Sequence, residues 1–392
     1  MIQNKNRQKQ QTELRLRDNQ PRGSGADNHD WITKAVSSNP EKSTLSDFFL
    51  PASHHPNLIK GSSRYVGKLP KGWDDISAGG ILLKHLSSFI AGPIISYLWD
   101  PLPADTILSL AVTQDISLHE QLYHGVRFMD VRLRTYKGDL YTAHGQTPYL
   151  TCIGSTFTSF LGDVKKFLES NEGEFLVLSL RWEYGSKDWS SVESSLSSFL
   201  PKNKYFYTKE ESDPEKIAYN EIKGRIIMCE DDNLSNYRSK LKCHGTWKEN
   251  DNQKETDELI SKLENNVITR GSGELNFLEA VLTPVTELKD IIPVLKAMTR
   301  YETLVDIGHR VNRELMKKFL PEQNGIEKFK NFKAIMIDSV SEDILDRIVR
   351  YNNRAGHTDF DMGGGPVQLI DADTDDGGDL RGGPALMGGA TP

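Results

Sequence analysis

The chain has 392 residues, 37% of them hydrophobic, and a formal net charge of −7. That length bounds it to one large domain or two small ones with a real core, and the acidic balance excludes a nucleic-acid binder that works through a global basic field. The three cysteines, Cys152, Cys229 and Cys243, are odd in number and widely spaced. They fit neither a disulfide framework nor a zinc site, and point to a reducing compartment.

Residues 1–60 are polar, poor in aromatics and without a sustained period. They read as a disordered arm. The first twenty residues hold no apolar leader, so a cytoplasmic placement is expected, with peripheral membrane contact. The most apolar stretch, Ile76 to Trp99, is interrupted by Lys84 and His85 and broken at Gly92-Pro93. Its uninterrupted runs fall short of the ~20 residues a membrane span needs. A buried core segment is the first reading of it and an interfacial membrane patch the second.

Residues 65–354 alternate strand and helix signals. "TILSL" at 106–110 is a short apolar strand candidate. "SLHEQLYHG" opens with Ser117 as N-cap, carries Glu120 at the capping-box position and stops at Gly125. Strand "RFMDVRL" and strand "DLYTAHG" follow. In "STFTSFLGDVKKFLESN" the apolar residues Phe157, Phe160, Leu161, Val164, Phe167 and Leu168 recur at helical spacing. "EFLVLSLRW" and "GRIIMCE" are continuous apolar runs of the kind found in buried parallel strands. Helix candidates "TDELISKLENN" and "ELKDIIPVLKAMTR" come next, then strand "AIMIDSV" and helix "SEDILDRIVRYNN". Repeated βα units favour a parallel sheet or a barrel. From residue 355 to 392 the chain is Gly-, Pro- and Asp-rich and reads as a disordered tail, without the ligand spacing of a calcium loop.

The strands end alike. Asp130 and Arg132, His144, Arg181 and Asp338 each lie at or near the carboxyl end of one. Alternation puts Asp130 and Arg132 on one face with Phe128, and Met129, Val131 and Leu133 on the other. In a (β/α) barrel the first set points inward, and ionisable groups at the carboxyl ends of parallel strands mark the active site. The residue types suit phosphate-ester cleavage. Arg132 and Arg181 hold a phosphate, His144 serves as general acid or base, and Asp338 orients a histidine.

The ordered set "SLHEQLYHGVRFMDVRL", "YTAHG", "EFLVLSLRWE", "KGRIIM" and "AIMIDSVSEDILDRIVRYN" resembles the X domain of phosphatidylinositol-specific phospholipase C, most of all its bacterial and fungal single-domain form. The resemblance runs from about Leu102 to Asn352. It implies a distorted TIM barrel of the phospholipase C-like phosphodiesterase type, and cleavage of phosphatidylinositol at a membrane surface through a cyclic phosphate. It assigns His144 as the acid that protonates the leaving diacylglycerol, Arg132 to the phosphate, Asp130 beside it, Arg181 to the inositol and Asp338 to the general-base histidine. Arginine at 132 and 181, where calcium-dependent relatives carry acids, implies a metal-independent site with no cofactor.

Two departures accompany the likeness. Glu230 stands where bacterial members have an inositol-binding arginine. The loop that supplies the general-base histidine is expected after Leu110, yet the chain passes directly into "AVTQD". His119, His124 and His244 are the substitutes in view, His244 foremost. A skipped segment at Leu110–Ala111 or a lipid-binding protein without catalysis would each account for the gap. A metal-dependent glycerophosphodiesterase-like hydrolase is the third reading, opposed by the two arginines.

Overall fold

The computed structural model describes residues 27–67, 108–109, 111–145, 151–183, 185–229, 232–234, 236–246, 256–265, 273–282, 303–318 and 332–354. The Gly/Asp-rich tail, the stretch Ile76–Trp99, Glu230 and the candidate helix at 287–300 lie outside them.

In chain order the elements are α1 (Trp31–Ser38), β1 (Leu50–His54), β2 (Arg64–Tyr65), α2 (Leu118–Tyr123), β3 (Phe128–Tyr136), β4 (Asp139–His144), β5 (Cys152–Thr156), α3 (Phe157–Ser170), β6 (Leu176–Trp182), α4 (Trp189–Phe199), β7 (Ile226–Met228), β8 (Lys242–Gly245), α5 (Thr256–Asn265), β9 (Glu274–Ala280), α6 (Leu304–Lys318), β10 (Ala334–Ile337) and α7 (Glu342–Arg354). The local signals hold where they are strongest. Ser117 caps α2 in a full capping box with Glu120, and Gly125 ends that turn at φ +119°. All six apolar positions of α3 are buried.

Seven strands run parallel in the order β7-β6-β3-β1-β10-β9-β8. The upper half of β3 leaves this run and pairs antiparallel with β4, which pairs in turn with β5, and β5 with β2. Phe128 packs inward with Leu50, Ala52, Val177 and Phe277. Met129, Val131 and Leu133 pack with the apolar face of α3. The sheet is a distorted, open barrel: among the described residues β7 and β8 share no ladder. Cys229, directly after β7, is instead disulfide-bonded to Cys243 in β8. That corrects the cysteine expectation. A separation of 14 residues carries no motif, and only the barrel brings the two thiols together.

Two further expectations are corrected. The arm assigned to residues 1–60 is ordered from Asp27. Trp31, Ile32, Leu45 and Phe48 are each at most 1% exposed and fill one end of the barrel. These apolar residues are sparse in sequence but are buried almost completely, and burial sets order. Of the strand expected at 106–110 only Leu108 and Ser109 are described, and they are helical. Its place beside β3 and β10 belongs to β1. No helix among the described residues is long and apolar enough to cross a membrane.

Arg127 and Glu174 lock the α1 segment to the barrel. Both side chains are 0% exposed, and Arg127 Nε lies 2.8 Å from Glu174 Oε2. Arg127 also donates to the carbonyls of Asn28, His29, Leu122 and Val126. Glu174 accepts from the backbone of Ile32 and Thr33 and from the Thr33 hydroxyl, so it satisfies the free N–H groups at the start of α1. Glu174→Ala leaves a buried guanidinium uncompensated and is expected to cost about 3–5 kcal/mol in urea denaturation. The double change Arg127→Met with Glu174→Leu is expected to cost less than the single one. Separately, reducing Cys229–Cys243 releases a 14-residue separation and is expected to lower stability. Chain entropy sets that loss at about 3 kcal/mol, read as a drop in the urea midpoint on adding dithiothreitol.

Candidate active site

β1 carries the residue that the sequence did not yield. Its last residue, His54, sits opposite Asp130 of β3 in the ladder, while Ser53 sits opposite Ile337 of β10. Asp338 directly follows β10, and His54 Nδ1 lies 2.9 Å from Asp338 Oδ1 with both side chains buried. Asp338 thereby meets its expected partner, a histidine 284 positions earlier. Nδ1–H donating to the carboxylate leaves Nε2 as the basic nitrogen.

The surrounding backbone is held by amides. Gln114 Nε2 donates to the His54 carbonyl at 2.8 Å, and its Oε1 accepts from Val340 N at 3.0 Å, so one side chain clamps the ends of β1 and β10. Asn312 of α6 donates to the carbonyls of Asp338 and Ser339. Gln121 of α2 donates to the Pro56 carbonyl and accepts from Ser53 Oγ. Gly154 of β5 lies against the same loop. A Cβ there would stand 2.0 Å from the Asn57 carbonyl oxygen, so only glycine permits the approach.

The charged set is continuous with this pair. Asp130 is 2% exposed, with Arg132 Nε at 3.4 Å and Arg181 Nε at 3.6 Å. Burial alone would raise its pKa; the two guanidiniums outweigh burial and hold it below the ordinary carboxylate value. Glu183, one residue past β6, accepts from Arg132 Nη1 at 3.1 Å and from Gly145 N at 2.7 Å. Sequence reasoning missed Glu183. The signal was there, because Glu183 shares the inward face with Arg181. Arg132 keeps its charge despite burial, because both acids face it. Asp130 and Glu183 both pair with the Arg132 guanidinium. Arg181 is freer, with its side chain 45% exposed.

His144 ends β4. Its Nδ1 donates to the Ala111 carbonyl at 2.8 Å, which turns Nε2 toward the site. Its ring lies edge-on to His54 with centroids 5.9 Å apart, and nearly parallel to His55 at 4.1 Å. His55 is 1% exposed and adopts φ +46°, rare for a residue with a side chain. Burial, reinforced by the neighbouring His54, His144 and Arg132 when charged, pushes its pKa well below the usual imidazole value. Burial lowers that of His144 too, with Glu183 opposing. The spare histidines do not join this group. His119 stacks on Tyr123 of its own helix, His124 follows α2, and His244 alternates with the inward Cys243 on β8.

Residues 105–231 match the model of the family described as phosphatidylinositol-specific phospholipase C, X domain. The resemblance read from the sequence is borne out. The match begins at residue 105, so His54 lies outside it. The 1-phosphatidylinositol phosphodiesterase of Listeria monocytogenes is 30% identical over 122 residues, 30% of this chain and 36% of that protein. Its counterpart in Staphylococcus aureus strain Newman is 29% identical over 124 residues, 30% and 38% of the two chains. The chain thus matches little more than a third of the length of these curated relatives. The structure of the F249X mutant of phosphatidylinositol-specific phospholipase C from Staphylococcus aureus superimposes with a TM-score of 0.52 at 14% identity, over 83% of this chain and 98% of that one. The fold is therefore a distorted barrel like that of the staphylococcal enzyme, over 83% of this chain.

The buried imidazoles fix a pH response. A histidine whose folded pKa is depressed binds fewer protons in the native than in the unfolded state once pH falls below about 6.5. Stability is expected to drop as pH is lowered from 7 to 5, read as a falling melting temperature, and His55→Phe is expected to flatten that slope. The Asp130 contribution, from a lowered carboxylate pKa, is lost in a separate window below pH about 4.

Proposed function

We propose that the protein is a metal-independent phosphodiesterase that cleaves phosphatidylinositol into diacylglycerol and an inositol phosphate by way of a 1,2-cyclic phosphate. The observation that carries the reading is the His54–Asp338 pair edge-on to His144, with Arg132 held beside them by Asp130 and Glu183. His54 Nε2 removes the proton of the inositol 2-hydroxyl. The resulting alkoxide attacks phosphorus, and the bond to the diacylglycerol oxygen breaks as His144 Nε2–H protonates that oxygen. Asp338 fixes the tautomer of His54 and stabilises its imidazolium, and the Ala111 carbonyl does the first of these for His144. Arg132, oriented by Asp130 and Glu183, stabilises charge on the phosphate oxygens without reorganising. Arg181, half exposed, turns to the phosphate or the inositol hydroxyls.

With His54 in place the skipped-segment and non-catalytic readings lose their motive, because both rested on a missing base. The substrate is met at a lipid surface. Exposed Arg64 of β2 over Tyr141, and exposed Lys137 over Tyr136 on the β3–β4 hairpin, form a linked cationic–aromatic strip suited to an anionic interface. The Cys229–Cys243 bond supports an oxidising compartment over the cytoplasmic placement.

Phosphatidylinositol vesicles are expected to release cyclic inositol phosphate, read by phosphorus NMR. His54→Ala and His144→Ala are each expected to lower turnover by about 10²–10⁴-fold. A chelator is expected to leave the rate unchanged. Loss of activity on chelation, with glycerophosphodiesters as the better substrates, would turn the assignment to a metal-dependent hydrolase.

A further inference from the structure

The acid of the proposed reaction is held in an unusual way. Among the described residues no carboxylate engages the ring nitrogens of His144. Nδ1 goes to a peptide carbonyl, and Glu183, the acid that faces it, is spent on Arg132 and the Gly145 amide. What lies against its ring face is His55, centroid to centroid at 4.1 Å and 26° from parallel. His55 is itself fixed on every side. Its backbone N–H donates to the Asp130 carbonyl, and its carbonyl accepts from Leu58 N and the Thr113 hydroxyl. The His54 ring covers its other flank at 4.1 Å. Among the described residues neither ring nitrogen reaches a well-formed hydrogen bond, and the Ala143 backbone favours its charged form.

We propose that His55 is the positioning residue of the acid: a neutral ring stacked on His144 that fixes the plane of the acid imidazole and leaves its proton lightly held. The inference rests on the phosphodiesterase reading, in which His144 gives a proton to the leaving oxygen. A carboxylate against the acid would hold that proton by ion pairing and make it a poorer donor. A neutral π face steadies the imidazolium without that pull. The groups facing His144 from each packed element are His54 and His55 at the end of β1, Arg132 of β3, Glu183 after β6 and the Ala111 carbonyl. Among these described groups only Glu183 is an acid, and burial and the cations prevail over it.

Two measurements on the full-length protein test this. In the first, kcat/KM for phosphatidylinositol is followed with pH for the wild type, His55→Phe and His55→Asp. His55→Phe keeps the ring and its neutrality, and its alkaline limb is expected to stay where the wild type has it. His55→Asp puts a carboxylate beside the acid and is expected to move that limb upward by about 1–3 pH units. In the second, histidine ring signals are titrated by NMR in the same three proteins, which needs no turnover. His55 is expected to stay neutral through pH 7 in the wild type, and the His144 midpoint to rise in His55→Asp alone. The proposal is overturned if His55→Phe and His55→Asp move the His144 midpoint alike, or if His55 is charged at neutral pH. Absence of lipid cleavage by the wild type, with the NMR midpoints as expected, would refute the substrate and leave the positioning role standing.

Discussion

The hydrogen bond between His54 and Asp338 is the constraint on which the site depends. It joins residues 284 positions apart, at the ends of two strands that are neighbours only because β1 lies between β3 and β10. A bond of this kind is worth little by itself in water. Here both groups are buried, so the geometry that makes it must be imposed by the barrel, and the barrel in turn must place β1 within fractions of an ångström. Gln114 and Asn312 serve that purpose. Their amides occupy the carbonyls of His54, Asp338 and Ser339, so the backbone next to each member of the pair has no slack. The histidine's tautomer, and with it the basic nitrogen, follows from this framing.

The barrel achieves that accuracy without a complete ladder. Its parallel run stops at β7 on one side and β8 on the other, and the two are joined by Cys229–Cys243 in place of hydrogen bonds. At the opposite end the α1 segment closes the interior, held by Arg127 and Glu174. A fully buried ion pair is a poor source of net stability but a strict one of geometry, since either ion left alone is costly. Here the two ions also take up two α1 N–H groups, the Thr33 hydroxyl and four peptide carbonyls around them, so the segment docks in one register. The end of the barrel away from the site is thus specified by charge, and the site end is free to carry groups chosen for chemistry.

Much of this was legible in the sequence, and the reasons for the misses are physical. Arg132, Asp130, Arg181 and Asp338 announced themselves as ionisable residues ending apolar strands, and the structure brings all of them together. His144 was found by the same habit. β1 was not, because its run "LPASHH" contains Pro51, which lacks the N–H a central strand uses, and because two histidines end it where an apolar residue was sought. Pro51 is tolerated because its carbonyl still accepts from Arg127 N. The intervening residues between His54 and α2 then carried β1 far from the motifs it serves, so the search for a base began in the wrong place. The disulfide was invisible for the complementary reason: its two cysteines are neighbours across a barrel seam and not along the chain.

The charge balance of the site explains why it can wait for an anion. Three carboxylates, Asp130, Glu183 and Asp338, face two guanidiniums and imidazoles whose burial favours neutrality. Arg132 is held from two sides and does not move, which makes it an electrostatic support prepared in advance. Arg181 touches Asp130 at 3.6 Å with nearly half its side chain in solvent, so it has an alternative partner within reach once a phosphate arrives. A phosphodiester entering between them adds negative charge beside His144 in a low-dielectric setting and favours the imidazolium there. In the proposed reaction the substrate thus helps to protonate its own acid, because its charge opposes the burial that lowers the His144 pKa.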